Sequence, residues 1–358
     1  MIRILQVVTN MDRGGLETMI MNYYRILNRN KYQFDFLTHR NTVADYDNEI
    51  KSMGGKIYHL PVLNPFGFQY RHSLSSFFLL HSEYKIIHVH LDCMSSIVLK
   101  EAQKKGVRVR IAHCHSSNQD INLKYLLKIL YKQFIPKYAT KLLSCGYLAG
   151  KWMYGNNKFE LFKNAINTCQ FRYDSQKEQM ARELLNIVKD EFVIGLIANF
   201  SPAKNHIRLI EIFRQLREIK KAKLLLIGSG KLENSIKSRV NQSGLNDDVI
   251  FLGKRSDIAR IIHAIDVFVM PSLHEGTPVS LIEAQAAGIP CVISSLVPDD
   301  CMITDRIRML DLKEKNDIWA QEILSLSSLG KKDTSEEIRK AGYDIFDNIN
   351  RLMEYYNE

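Results

Sequence analysis

The sequence predicts an α/β protein made of two Rossmann-like domains with parallel sheets. Short apolar runs alternate with helical patterns along the whole chain, the signature of parallel strands joined by right-handed crossovers. The runs fall into two series, separated by a polar stretch without clear period from Asn164 to Tyr173. At 358 residues with 46% apolar content, the chain can fill two cores of ordinary size.

The first series begins with Ile2 to Val8, too short and too mixed for a signal peptide. It leads into Thr9-Asn10-Met11-Asp12-Arg13-Gly14-Gly15-Leu16-Glu17. Gly14 and Gly15 let the backbone approach a ligand and open a helix whose N-terminus suits a diphosphate. The alternative is a tight turn without a ligand, since this is no GxGxxG fingerprint. Further strands are Phe34 to Leu37, Lys56 to Leu60, Ile86 to His90, Val109 to His113 and Lys141 to Cys145. His113 and His115 stand at a strand end, where His115 can reach a ligand and His113 faces the other way or is structural. A metal at this pair lacks an acidic or cysteine partner at usable spacing. His88 and His90 are weaker candidates. From Asn122 to Leu143 runs a basic helix: Lys124, Lys128 and Lys132 recur every four residues beside Tyr125, Leu126, Leu127, Leu130 and Phe134. That pattern fits a helix lying in a membrane interface, or a domain helix with a solvated lysine stripe.

The second series is Phe192 to Ile197, Lys223 to Ile227, Val249 to Leu252, Val267 to Met270 and Cys291 to Ile293. Lys204, after the first of these, is placed to meet a diphosphate; Gly228, after the second, stands in a strand-to-helix turn; Arg255, after the third, can border a nucleobase. The fourth strand leads to the most telling stretch, His274-Glu275-Gly276-Thr277-Pro278-Val279-Ser280-Leu281-Ile282-Glu283-Ala284. It reads as loop and helix at a strand's carboxyl end, where open α/β sheets bind ligands. Glu275 sits in the loop and Glu283 about two turns into the helix. Gly276 and Thr277 offer backbone N–H groups to a phosphate, and the two carboxylates can accept bonds from sugar hydroxyls. The combination points to a nucleotide sugar.

Charge is uneven. Residues 1–170 hold 23 Lys and Arg against 11 Asp and Glu, and the remainder 26 against 28. The surplus in the first half points to an anionic partner. A nucleic acid is not expected, because no RNA- or DNA-binding module pattern is present. The six cysteines show no CxxC spacing and imply a reducing, cytoplasmic setting without disulfides or zinc. No run of 18 apolar residues predicts a membrane span.

Taken together, these motifs resemble retaining GT-B glycosyltransferases of family 4, with bacterial exopolysaccharide and capsule enzymes nearest in pattern. The paired glutamates are the family's most specific mark. The resemblance implies two Rossmann-like domains facing across a cleft: an acceptor domain at 1–168, a nucleotide-sugar domain at 169–340, and a closing helix at 341–358 packing back on the first. It implies catalytic roles for His115, Lys204 and Glu275. It implies donor binding by Gly14, Gly15, Asn199, Gly228, Arg255, Gly276, Thr277, Pro278 and Glu283, with ribose at Glu283 and the transferred sugar at Glu275. One departure stands out: the family's Arg five positions before the Lys is Asn199 here.

The expected activity is transfer, with retention, from a UDP-linked sugar to a hydroxyl of a growing lipid-linked cell-surface glycan. Charge stabilisation of the leaving diphosphate suffices, so no metal and no cofactor are expected. The expected place is the cytoplasmic face of an anionic plasma membrane, held peripherally. The rivals are a non-catalytic sugar-nucleotide-binding partner of another transferase and a nucleotide-sugar epimerase on the same fold.

Overall fold

The computed structural model describes residues 1–115, 125–188 and 190–357. They divide into two compact units, Met1–Asn164 with Ile345–Glu358 (unit 1) and Ala165–Asp344 (unit 2).

Unit 1 is built on seven parallel strands: β1 Ile2–Val7, β2 Tyr32–Thr38, β3 Ile57–His59, β4 Ile86–Val89, β5 Val109–Cys114, β6 Lys141–Ser144 and β7 Glu160–Leu161, in the order β3-β2-β1-β4-β5-β6-β7. Strand order reverses between β1 and β4, a topological switch point of the kind that opens a ligand crevice at strand carboxyl ends. The core sits between this sheet and its helices around Leu5, Val7, Ile87, Val89 and Leu99. The helix Ile345–Asn357 completes the unit. Its Tyr356 ring meets Phe34 edge-on at 6.0 Å, and Tyr32 donates to Asn357 at 3.0 Å. β7 is only two residues long, too short for a periodic signal. It is fixed from outside by Tyr355, whose hydroxyl donates to Glu160 at 2.8 Å, and by Lys141 at 3.1 Å.

Unit 2 has six parallel strands: β8 Phe192–Ile197, β9 Ala222–Ile227, β10 Val249–Gly253, β11 Val267–Met270, β12 Cys291–Ser294 and β13 Ile307–Leu310, ordered β10-β9-β8-β11-β12-β13. Its switch point falls between β8 and β11. Both faces of the central strands are covered, so β11 and β12 are wholly buried. β13 escapes the sequence reading because Arg308 interrupts a four-residue edge strand.

The long basic helix expected from Asn122 to Leu143 is broken. Asn122 and Lys124 lie outside the described residues. Helices span Tyr125–Lys132 and Ile135–Tyr138, and β6 starts at Lys141. Pro136, within the first turn of the second helix, has no N–H and cannot continue the first. The lysines are not a uniform solvated stripe either. Lys132 donates to the Trp152 carbonyl at 2.6 Å and sits over that indole at 4.2 Å. Leu126, Leu130 and Phe134 remain exposed. Among the described residues no helix is long and apolar enough to cross a membrane.

Candidate active site

The residues expected to carry chemistry in unit 2 gather on the loops that follow β8, β9 and β11. After β8 the chain makes a short turn, Pro202–Lys204, and enters the helix His206–Ile219 through Asn205 at φ 53°, ψ 45°. Asn tolerates this left-handed conformation better than most residues. Its amide donates to the Pro271 carbonyl at 3.0 Å, while Leu273 N–H donates to the Ala203 carbonyl at 2.7 Å. The loops after β8 and β11 are thus stitched together across the switch point. Behind them His206 stacks on Phe200 with ring centroids 4.4 Å apart.

This stitching sets Lys204 beside Glu275. The Lys204 Nζ lies 2.7 Å from Oε1 and 2.5 Å from Oε2 of a carboxylate that is 5% exposed at its side chain. Gly276 follows, then Thr277 and Pro278, both buried, and the helix Val279–Ala286 begins. Because the chain is non-helical up to Pro278 (φ −71°, ψ 107°), Glu283 is the fifth helical residue. It stands just over one turn in, not two as the bare spacing suggested. Glu283 is buried, and with no cation to offset desolvation its carboxyl is pushed up to about 8. Such a group favours a partner that donates hydrogen bonds.

The glycines after β9 have a packing reason of their own. At Gly228, with φ 139°, a Cβ would stand 2.0 Å from the Ala198 carbonyl oxygen; at Gly230 it would stand 2.6 Å from that of Phe200. Backbone bonds run across the same gap, Ala198 N–H to Ile227 O and Phe200 N–H to Ser229 O, each 2.9 Å. Asn199 is exposed between them, its side-chain oxygen accepting from Ser201 at 3.0 Å. Arg255, partly exposed after β10, spends both ends of its guanidinium on Asp257 at 2.8 and 2.6 Å.

The remaining predicted residues belong to unit 1. Gly14 and Gly15 are exposed at the start of the helix Gly15–Ile26. A Cβ on Gly14 would come within 2.4 Å of the Glu17 carboxylate. Burial, with Asp12 and Asp92 nearby, raises Glu17 to about 7. Arg13, the candidate for a second leaving-group cation, has its guanidinium over the Tyr46 ring at 5.1 Å. His115 directly follows β5 and pairs Nε2 to His90 Nδ1 at 2.9 Å; desolvation lowers it to about 3, so it is neutral at ordinary pH.

The sequence reading undervalued two features here. Glu17 was passed over, although it falls in the first helical turn, three residues after Gly14. The second is a stack of four histidines. His88 and His90 on β4 and its end, with His113 and His115 on β5 and its end, place ring centroids 4.1 to 5.4 Å apart. The signal was there: His-x-His twice, on strands that turn out to be neighbours. His113 does not face away from His115 but shares its side of the sheet, as residues two apart must.

Two Rossmann-like units, each a parallel sheet with a switch point, define a GT-B protein. Anabaena HepE in complex with UDP-glucose has this fold with a TM-score of 0.82, across 99% of each chain at 15% identity. A family model described as "Glycosyl transferases group 1" matches residues 177–341. EpsF of Bacillus subtilis (strain 168), which carries the name of a glycosyltransferase, is 34% identical over 99% of this chain and 96% of its own. The UDP-Gal:alpha-D-GlcNAc-diphosphoundecaprenol alpha-1,3-galactosyltransferase of Escherichia coli is 27% identical over 68% of this chain and 66% of its own. The chain belongs to the group 1 glycosyltransferases.

Proposed function

We propose that this glycosyltransferase transfers a sugar from a UDP-linked donor to a hydroxyl of a lipid-linked, cell-surface glycan, with retention and without a metal. The observation that carries the reading is the contrast within one segment of unit 2. Glu275 is held by Lys204, whereas Glu283, eight residues on, is buried without a charge partner among the described residues. A ribose diol is a double hydrogen-bond donor and suits Glu283. A departing diphosphate needs a cation and suits Lys204, with the N-terminus of Val279–Ala286 adding its dipole. Once Lys204 turns to the diphosphate, the Glu275 carboxylate can accept from hydroxyls of the transferred sugar. Leaving group and acceptor then share one face of that sugar. No side chain is needed as a covalent nucleophile, and catalysis rests on positioning and on stabilising charge.

The printed names of relatives support the donor and acceptor. The Escherichia coli relative is named for UDP-Gal and a diphosphoundecaprenol-linked acceptor, and Anabaena HepE has been solved with UDP-glucose. A lipid-linked acceptor also accounts for unit 1. Its helices border a cavity of about 460 Å³ in which Arg71, Lys100 and Lys104 meet Leu130, Phe134 and Tyr138. Cations beside exposed apolar groups favour an anionic leaflet by about 1 kcal/mol each, although Glu101 offsets Lys104 at 3.7 Å; this supports a peripheral place on the cytoplasmic face.

The test is a panel of UDP-sugars incubated with a lipid-diphosphate-linked acceptor, with the product anomer read by NMR. Transfer with retained configuration, undiminished in EDTA, is expected. Inversion of configuration, or activity lost in EDTA and restored by magnesium or manganese, overturns the mechanism. The missing cation at Asn199 favours a second reading, a donor-binding partner without activity of its own. Nucleotide-sugar binding with no transfer to any acceptor would establish it. Liposomes provide the membrane test: the protein should sediment with anionic vesicles at low salt, release at high salt, and ignore neutral ones. Indifference to both vesicle types removes the membrane from the proposal.

A further inference from the structure

We propose that His88, His90 and His113 of unit 1 form a binding site for a zinc-class transition metal ion. These residues belong to unit 1, whereas Lys204, Glu275 and Glu283 belong to unit 2.

The sheet sets up the cluster. β4 and β5 are parallel neighbours, with His88 beside Ile111 and Val89 beside Ala112. Residues two apart on a strand share a face, so His88, His90, His113 and His115 crowd onto one side. One nitrogen from each of His88, His90 and His113 lies within 4.8 Å of the others, and all three residues are buried. A tetrahedral zinc site with bonds of about 2.0–2.1 Å brings its nitrogens to roughly 3.4 Å. Closing the three onto one ion therefore brings nitrogens together by at most about 1.4 Å.

Two further observations point to a ligand. The first is unmet bonding capacity. His88 Nε2 is buried with no hydrogen-bond partner, and the Phe162 backbone meets at most one of the two buried ring nitrogens of His113. Each such group costs about 1–3 kcal/mol unless something meets it. The second is the outer contacts. His88 Nδ1 lies 2.8 Å from the Tyr356 hydroxyl, and His90 Nε2 lies 3.0 Å from Gln6 Oε1, an oxygen that can only accept. The His90 proton is therefore on Nε2, and its Nδ1 lone pair accepts from His115 Nε2 at 2.9 Å, a bond that an ion at Nδ1 would replace. In the tautomer in which His88 Nδ1–H donates to Tyr356, its Nε2 is bare. Metal-bound histidines are oriented in this way, one nitrogen on the ion and the other on a protein acceptor. Uncharged imidazoles without a carboxylate suit zinc, nickel or copper better than magnesium or calcium. His115, paired with His90 Nδ1 at 2.9 Å, stands where a fourth ligand belongs.

The experiment uses the full chain made without a histidine tag, stripped of metal and loaded with Zn²⁺ or Co²⁺. About one ion per chain should survive gel filtration, and Co²⁺ should give the intense visible absorption of tetrahedral coordination. X-ray absorption on the zinc form should show an imidazole shell at about 2.0 Å. His88→Ala and His113→Ala should abolish retention, while His72→Ala and His274→Ala, at exposed positions, should keep it. A wild type that retains no ion overturns the site, and so does retention that survives His113→Ala or disappears in the exposed-site variants. Should the core variants fail to fold, the absorption spectrum of the wild type decides: oxygen ligands, or fewer than three imidazoles, end the proposal.

Discussion

The polar groups after β8 and β11 in unit 2 and the histidines on and just after β4 and β5 in unit 1 both lie toward the carboxyl ends of similar parallel sheets, yet their electrostatics are opposite. In unit 2 a lysine and a glutamate are paired at 2.5 Å, and a second glutamate is buried alone. In unit 1 four histidines stack, their charged forms suppressed by burial. A parallel sheet dictates where side chains converge and leaves their chemistry open. Charge placed there can follow charge moving on a substrate. Neutral imidazoles cannot, and what they offer instead is lone pairs suited to coordination.

The most forceful way to break the comparison is Lys204→Ala. If the cation serves the leaving diphosphate, kcat should fall roughly 10²- to 10³-fold, as when one preorganised transition-state donor is lost. A fall in thermal stability with kcat intact would make the Lys204–Glu275 pair merely structural.

Separating the two glutamates is the next step. Glu283→Ala should weaken UDP binding about 10- to 100-fold, the worth of a hydrogen bond or two, whereas Glu275→Ala should lower turnover and spare UDP affinity. Calorimetry showing equal losses in both variants would refute that division.

Glu283 also gives a pH signature. Its native value of about 8 exceeds the ordinary 4.5, so the native state keeps a proton that the unfolded chain releases. Its stabilising contribution is complete below 4.5 and is lost as pH rises to 8. Glu283→Gln cannot titrate. Its melting temperature should therefore gain on the wild type across that window, by roughly 5 °C or more at the alkaline end. Parallel melting curves at all pH values would place the raised pKa elsewhere.

The smallest effect concerns Asn199. A second cation there should preserve or modestly raise activity in Asn199→Arg, because the side chain is exposed at the end of β8. A folded variant with activity greatly reduced would show that the asparagine has a use of its own.

Much of this was legible in the sequence. Apolar runs marked eleven of the thirteen strands, and the paired glutamates marked the loop and helix that follow β11. What escaped depends on contacts between distant residues. β7 exists because Tyr355 and Lys141 hold Glu160. The histidine stack exists because β4 lies beside β5. The two-turn estimate for Glu283 failed because Pro278 delays the helix. The membrane helix was misdrawn because Pro136 divides it and Trp152 claims Lys132.

The final helix has a consequence for biosynthesis. Tyr356 and Asn357 anchor to β1, β2 and β4, yet the ribosome delivers them only after about 180 residues of unit 2. At roughly 5–20 residues per second this is a delay of about 10–40 s. During that interval unit 2 can finish folding while Gln6 and His88 still lack the hydroxyl of Tyr356. The part of the chain made first is the part completed last, and a nascent chain stalled before Ile345 would expose the surface of unit 1 that the helix covers.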